Sequence, residues 1–230
     1  MKFLKFLSLI LIISLFTTGS PTLANSLKVL GWRDLIPKLE PLKNPLHKIE
    51  IKLRLDIEYL ASIRYWVKTG QISEVDVEYE QGVELEHEFK KNKVDFESLI
   101  AQYDAFLNEI EKRNKLVVNK LDGRLVRIPG YALPLETSAT AVTEFLLVPT
   151  IGACIHTPVP PANQMIFVKL NQSYQAKRLY DPVWITGRIK IEHNKRAINY
   201  SDGENGVESA YTLQGVKVEP YKNEILIPTK

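Results

Sequence analysis

A single cysteine in 230 residues rules out an internal disulfide, so the thiol must be buried, metal-bound, reactive or paired with another chain. Stability has to come from the packed core. Beyond Phe16 no stretch is long and uncharged enough for the ~20 apolar residues that span a bilayer, which removes a later membrane helix. Strong charge is missing too: the formal net charge is +3, with no basic cluster, whereas a nucleic-acid binder carries a basic patch or stripe. No repeat recurs along the chain, and the only biased stretch is a short proline-spaced one. With apolar residues at 45% and charged residues at 25%, the rest has the balance of an ordinary globular protein.

The N-terminal stretch MKFLKFLSLILIISLF sets Lys2 and Lys5 before an uncharged apolar run, followed by TTGSPTLA and Asn25. A positive start, a short apolar middle and small residues before a cut are the marks of an export signal. Cleavage is expected after Ala24, although Thr22 is a weaker residue than alanine at its position. No cysteine stands near the cut, which argues against a lipid-modified N-terminus. The expected location is the periplasm, with no transmembrane helix in the mature chain. That chain would lose two lysines and no acid, leaving a net charge of +1 from the original +3.

Residues 25–48 read as an extended arm, because Pro37, Pro41 and Pro45 recur every fourth residue and forbid a continuous helix. Trp32, Leu35 and Ile36 are expected to pin it to the main body. Residues 49–120 are expected to be helical. Leu53, Ile57, Leu60, Ile63 and Val67 paint one face of a helix over Ile49 to Lys68, and Gly70 reads as its stop. Gln71 to Asn92 continues with acids first and bases later. Phe96, Leu99, Ile100, Tyr103, Phe106, Leu107 and Ile110 keep the helical period through Val94 to Val118.

At Asp122-Gly123, a turn signal, the pattern changes to strands at about Arg124 to Leu135, Glu144 to Pro149, Gln164 to Leu170, Pro182 to Glu192 and Glu208 to Glu219. Gly187 inside VWITGRIKI predicts a bulge. Gly130 is expected to need a backbone conformation closed to other residues, and Pro129 and Pro134 to put their strand at an edge or to bulge it. The predicted fold class is therefore α+β: a small antiparallel OB-like β-barrel over residues 121–230, with a sandwich as the alternative, and an N-terminal helical segment.

The chemistry concentrates in Val126 to Val168. Cys154 stands two residues before His156, a spacing that in extended chain puts thiolate and imidazole on one side as a ligand pair suited to zinc or copper. A third donor is needed; Glu136 and Glu144 are nearest in sequence, with His193 and Asp181 further off. Two other readings stay open: a simply packed thiol, and a thiol nucleophile with His156 as base. The last lacks an activating helix terminus, because Pro158, Pro160 and Pro161 follow. Asn163 and Gln164 can hold the loop through its backbone. His47 and His87 read as surface residues, and His193 as part of a turn.

Four blocks, GWRDLIP at Gly31 to Pro37, VRIPGYALPLE at Val126 to Glu136, EFLLVPTIGACIHTPVPPANQMIFV at Glu144 to Val168 and PVWITGRI at Pro182 to Ile189, together resemble a bacterial exported family of unknown function, DUF3299. Val159 interrupts the family's proline run, and Thr150 stands where an aromatic residue is common. The resemblance names no established activity. It implies a periplasmic accessory role beside the components of an envelope ABC transporter, with zinc as the metal and with Cys154 and His156 at the family's thiol and imidazole positions; Glu136 joins them as the third donor on the residue reading alone. The alternative is a non-catalytic interaction module with a structural Cys/His loop; a thiol-dependent enzyme ranks below both.

Overall fold

The computed structural model describes residues 26–135, 141–151, 159–200 and 203–221. In chain order these form β1 (Lys28–Val29), α1 (Ile51–Thr69), α2 (Val77–Lys91), α3 (Phe96–Lys115), β2 (Leu125–Pro134), β3 (Ala141–Val148), β4 (Ile166–Gln175), β5 (Asp181–Tyr200) and β6 (Gly203–Pro220). The α+β class expected from periodicity is what the chain adopts. The expected signal segment and the end of the C-terminal tail lie outside the described residues.

Local chemistry sets the helix limits. The Glu50 carboxylate accepts from the Lys52 and Leu53 N–H groups at the start of α1, and Gly70 ends it at φ 73°, the left-handed conformation that glycine tolerates. Asp95 caps α3 by accepting from the Ser98 N–H. Ile57, Leu60, Phe89, Phe96 and Ile100 join Leu46 of the arm in a core of their own. Arg64 of α1 ties the unit together, donating to Glu86 of α2 and Glu97 of α3 at 2.7 Å each. Val67 departs from the expected buried face and is 37% exposed.

The sheet is mixed, which corrects the expected antiparallel one. β2 pairs antiparallel with β3 and β5, β3 with β4, and β5 with β6, but β4 pairs parallel with β6 and β1 parallel with β2. Periodicity identifies strands and cannot say which ones meet. Followed from neighbour to neighbour, the pairings run β2, β3, β4, β6, β5 and return to β2. Val126, Ile128, Phe145, Leu147, Ile166, Val168, Ile185 and Leu213 pack on the inner side. Alternate residues Tyr131, Leu133, Leu146, Val148 and Phe167 form a second cluster on the outer side, with Val207 packed against them.

β2 is not an edge strand. It holds β5 along its length on one side; on the other, β1 covers Val126 and Arg127 and β3 covers Tyr131 to Pro134. Pro129 falls in the gap between those two partners, where its missing N–H costs no ladder bond. Its carbonyl accepts from the Trp32 indole N–H at 2.8 Å. Gly130 is also corrected. It is not among the positive-φ residues; it is small because a Cβ there would lie 2.8 Å from Leu147 Cγ and 2.9 Å from Trp32 Cζ2. The expected bulge at Gly187 is present, with a second register shift between Ile191 and Asn194. His193 lies within β5 at that second shift and not in a turn.

Candidate functional site

Cys154, His156 and Glu136 all lie outside the described residues, which frame them on either side. The Cys154 segment leaves β3 after Val148 and rejoins the sheet at Ile166, and its return is tightly held. Ala162–Gln164 forms one 3-10 turn in which Asn163 is 2% exposed. The Asn163 amide donates to the carbonyls of Arg113 and Leu116 at 2.9 and 3.0 Å; it supplies a partner to the Leu116 carbonyl just past α3 and a second donor to the Arg113 carbonyl, which also accepts from the Leu116 N–H at 3.1 Å. Gln164 donates to the Trp32 carbonyl at 3.0 Å. The helical unit, the arm and the loop thus meet at two side-chain amides, the backbone-holding role expected of them.

Tyr211 completes this junction. Its hydroxyl accepts from the Val118 N–H at 2.7 Å and donates to the Leu35 carbonyl at 2.8 Å, joining β6 to the α3–β2 connection and the arm. Burial pushes its phenol pKa up, against the Val118 bond that lowers it. Sequence reading passed over Tyr211 and the Trp32–Pro129 bond. A signal existed for the first: a phenol at an inward position between Ala210 and Leu213 must find a hydrogen-bond partner.

The register separates two of the framing segments. Leu135, which precedes Glu136, stands four residues beyond Tyr131, the partner of Val148, a span of about 13 Å along the strand. The chain leaves Val148 in the opposite direction. Of the other donors considered from sequence, Glu144 is exposed, with Lys169 as its cross-strand neighbour. Asp181, 4% exposed, is already engaged: it accepts from the Tyr174 hydroxyl at 3.0 Å and the Lys177 N–H at 2.6 Å, and pairs with Arg178 at 3.4 Å. Burial, followed by that bond to Asp181, pushes the Tyr174 phenol up to about 12. His47, His87 and His193 are exposed. Among the described residues, no group of three His, Cys, Asp or Glu side chains is placed to hold a metal.

Asn163→Ala is expected to cost about 1–3 kcal/mol, because the Leu116 carbonyl loses its donor and the Arg113 carbonyl one of its two. Urea unfolding and amide exchange near Ala162 would check this. An unchanged midpoint would show that the amide does not hold the loop.

These features define an α+β protein in which a ring-ordered sheet, a three-helix unit and an N-terminal arm converge on one loop. A family model described as a protein of unknown function, DUF3299, matches residues 32–220, and the chain belongs to that family. It is also similar to a crystal structure of a DUF3299 family protein from Pseudomonas aeruginosa, at 26% identity over 87% of this chain and 99% of that one, with a TM-score of 0.46. No curated protein matches.

Proposed function

We propose that this chain is an exported, periplasmic accessory protein of an envelope ABC transport system, and that its Cys154/His156 loop binds zinc. Cys154 supplies a thiolate and His156 an imidazole, a soft and borderline pair suited to that ion, and Glu136 is the proposed oxygen donor, which the loop must reach by turning back across the separation set by the β2–β3 register. The observation that carries the reading is the anchorage of the loop. Three hydrogen bonds from Asn163 and Gln164 fasten its return to the end of α3 and to Trp32, the rigid support that a binding loop needs. The N-terminal signal pattern supports the address. The return of the strand pairings to β2 supports an OB-like barrel as the frame.

Metal content of the mature protein, recovered from the periplasm without chelator, tests this against Cys154→Ser, His156→Ala and Glu136→Gln. Near-stoichiometric zinc abolished by the first two substitutions is the expected result. Loss in Glu136→Gln as well identifies the third ligand. Metal-free protein that takes up neither zinc nor copper on titration would sink the zinc reading. A second reading, an interaction module with a structural loop, draws on the groove of about 500 Å3 between α1 and α3, where Tyr65 and Leu107 stand 60% and 42% exposed. A thiol that stays unreactive until denaturation, in metal-free protein, favours that one.

A further inference from the structure

The outward side chains of β4, β6 and β5 gather three cations, Lys169, Lys190 and Arg196, with Glu144 of β3 as the cross-strand neighbour of Lys169. The register aligns Lys169 with Gln214 and Arg188 in one cross-strand row, and Phe167 with Thr212 and Lys190 in the next. Lys169 and Lys190 therefore stand diagonally across Thr212 and Gln214, with Cα atoms about 12 Å apart from strand spacing and rise. Two flexible four-carbon stems can converge across that gap. Arg196, from the ribbon continuing β5, brings a third cation: its guanidinium lies 5.1 Å from the centre of the Phe167 ring, while the Lys169 ammonium lies 5.3 Å from it. Among the described residues, none of Lys169, Lys190 and Arg196 forms an ion pair, although twelve such pairs occur elsewhere.

Lys169, Lys190, Thr212 and Gln214 line a depression of about 500 Å3. Its floor holds a buried polar group: Thr212 is 1% exposed, and its hydroxyl oxygen accepts from Asn194 at 2.8 Å. A hydroxyl that accepts still has a proton to donate. Two acids share the rim. Asp122 turns one oxygen to the Ile191 N–H at 3.0 Å, and Glu192 is exposed.

We propose that this depression binds an oxyanion of the phosphate class, held between Lys169 and Lys190 over Thr212 and Gln214, at a site separate from the Cys154/His156 loop. Converging ammonium groups with hydroxyl and amide donors between them complement a compact group with several charged oxygens.

Titration of the 15N-labelled full chain with inorganic phosphate at low ionic strength tests the site. Expected are saturable shifts of the Lys169, Lys190, Thr212 and Gln214 amides, and binding at least tenfold weaker in Lys169→Ala/Lys190→Ala. Both lysines project from the sheet, so the double variant should keep its melting temperature. Glu192→Gln, which removes an acid from the rim, should bind more tightly. Shifts that fail to saturate, that scatter over other lysines or that survive the double substitution mean an adventitious ion only, and overturn the proposal. Sedimentation with phosphatidylcholine vesicles containing phosphatidic acid, lost in the double variant, would assign the oxyanion to a lipid headgroup. Phosphate binding without sedimentation would assign it to a free solute.

Discussion

Tyr211→Phe is expected to lower the unfolding free energy by about 2–4 kcal/mol, since each buried polar group left without a partner costs roughly 1–3 kcal/mol. Only one oxygen is removed, but it serves two groups distant in sequence. The Val118 N–H loses its acceptor and the Leu35 carbonyl its donor, at a side chain that is fully buried. Phenylalanine keeps the ring and its packing, so the change isolates the two hydrogen bonds from any cavity effect. For a chain of this size the melting temperature should fall by roughly 5–15 °C. Urea unfolding should show a lower midpoint at unchanged slope, and amide exchange should quicken at Val118. A loss below about 0.5 kcal/mol, well under the cost of two orphaned groups, would show that the phenol does not join the arm to the sheet.

Gly187→Ala should be at least as damaging, by about 3 kcal/mol, the upper part of the range for overpacking. An added Cβ would press into the Gln214 carbonyl and stand 2.5 Å from Leu213 Cδ2. The first obstacle is backbone of the paired strand, which cannot turn aside as a side chain can. Relief requires β5 and β6 to part where the ladder shifts between Thr186 and Gly187. Gly206→Ala in the same hairpin is the control, because its Cβ would meet only the flexible end of Lys195 at 3.4 Å. Thermal melts of the two variants side by side would decide it: a large fall for Gly187→Ala and a small change for Gly206→Ala. Equal, small changes would mean that the two strands can separate there at little cost.

Much of this architecture was legible in the residues. The periods of Ile57, Leu60 and Ile63 and of Phe96 and Ile100 placed α1 and α3, because a helix face must bury its apolar stripe. Gly70 marked the end of α1, and Gly187 marked the bulge. The errors share one cause. Pro129, Pro134 and Gly130 were read as properties of a single strand, with β2 consequently put at an edge. Their roles belong to neighbours: Pro129 fits the gap between β1 and β3, and Gly130 leaves room for Leu147 and Trp32. At the loop, the residue types of Asn163 and Gln164 announced a holding role, but not the carbonyls of Arg113, Leu116 and Trp32 that they hold.

By itself, then, the chain's order of residues determined where helices and strands run, the ordinary globular balance of the protein, and the one segment in which a thiol and an imidazole stand two residues apart. These are matters of period and residue type, which act over a few positions. Tertiary structure alone decided that β4 lies beside β6, that Trp32 closes the gap at Pro129, that one phenol joins Leu35 to Val118, and that Lys169 and Lys190 face one depression. Each depends on groups brought together from distant parts of the chain. Such meetings follow from the packing of whole elements, because backbone groups and charges buried or gathered there must find partners across space and not along the sequence.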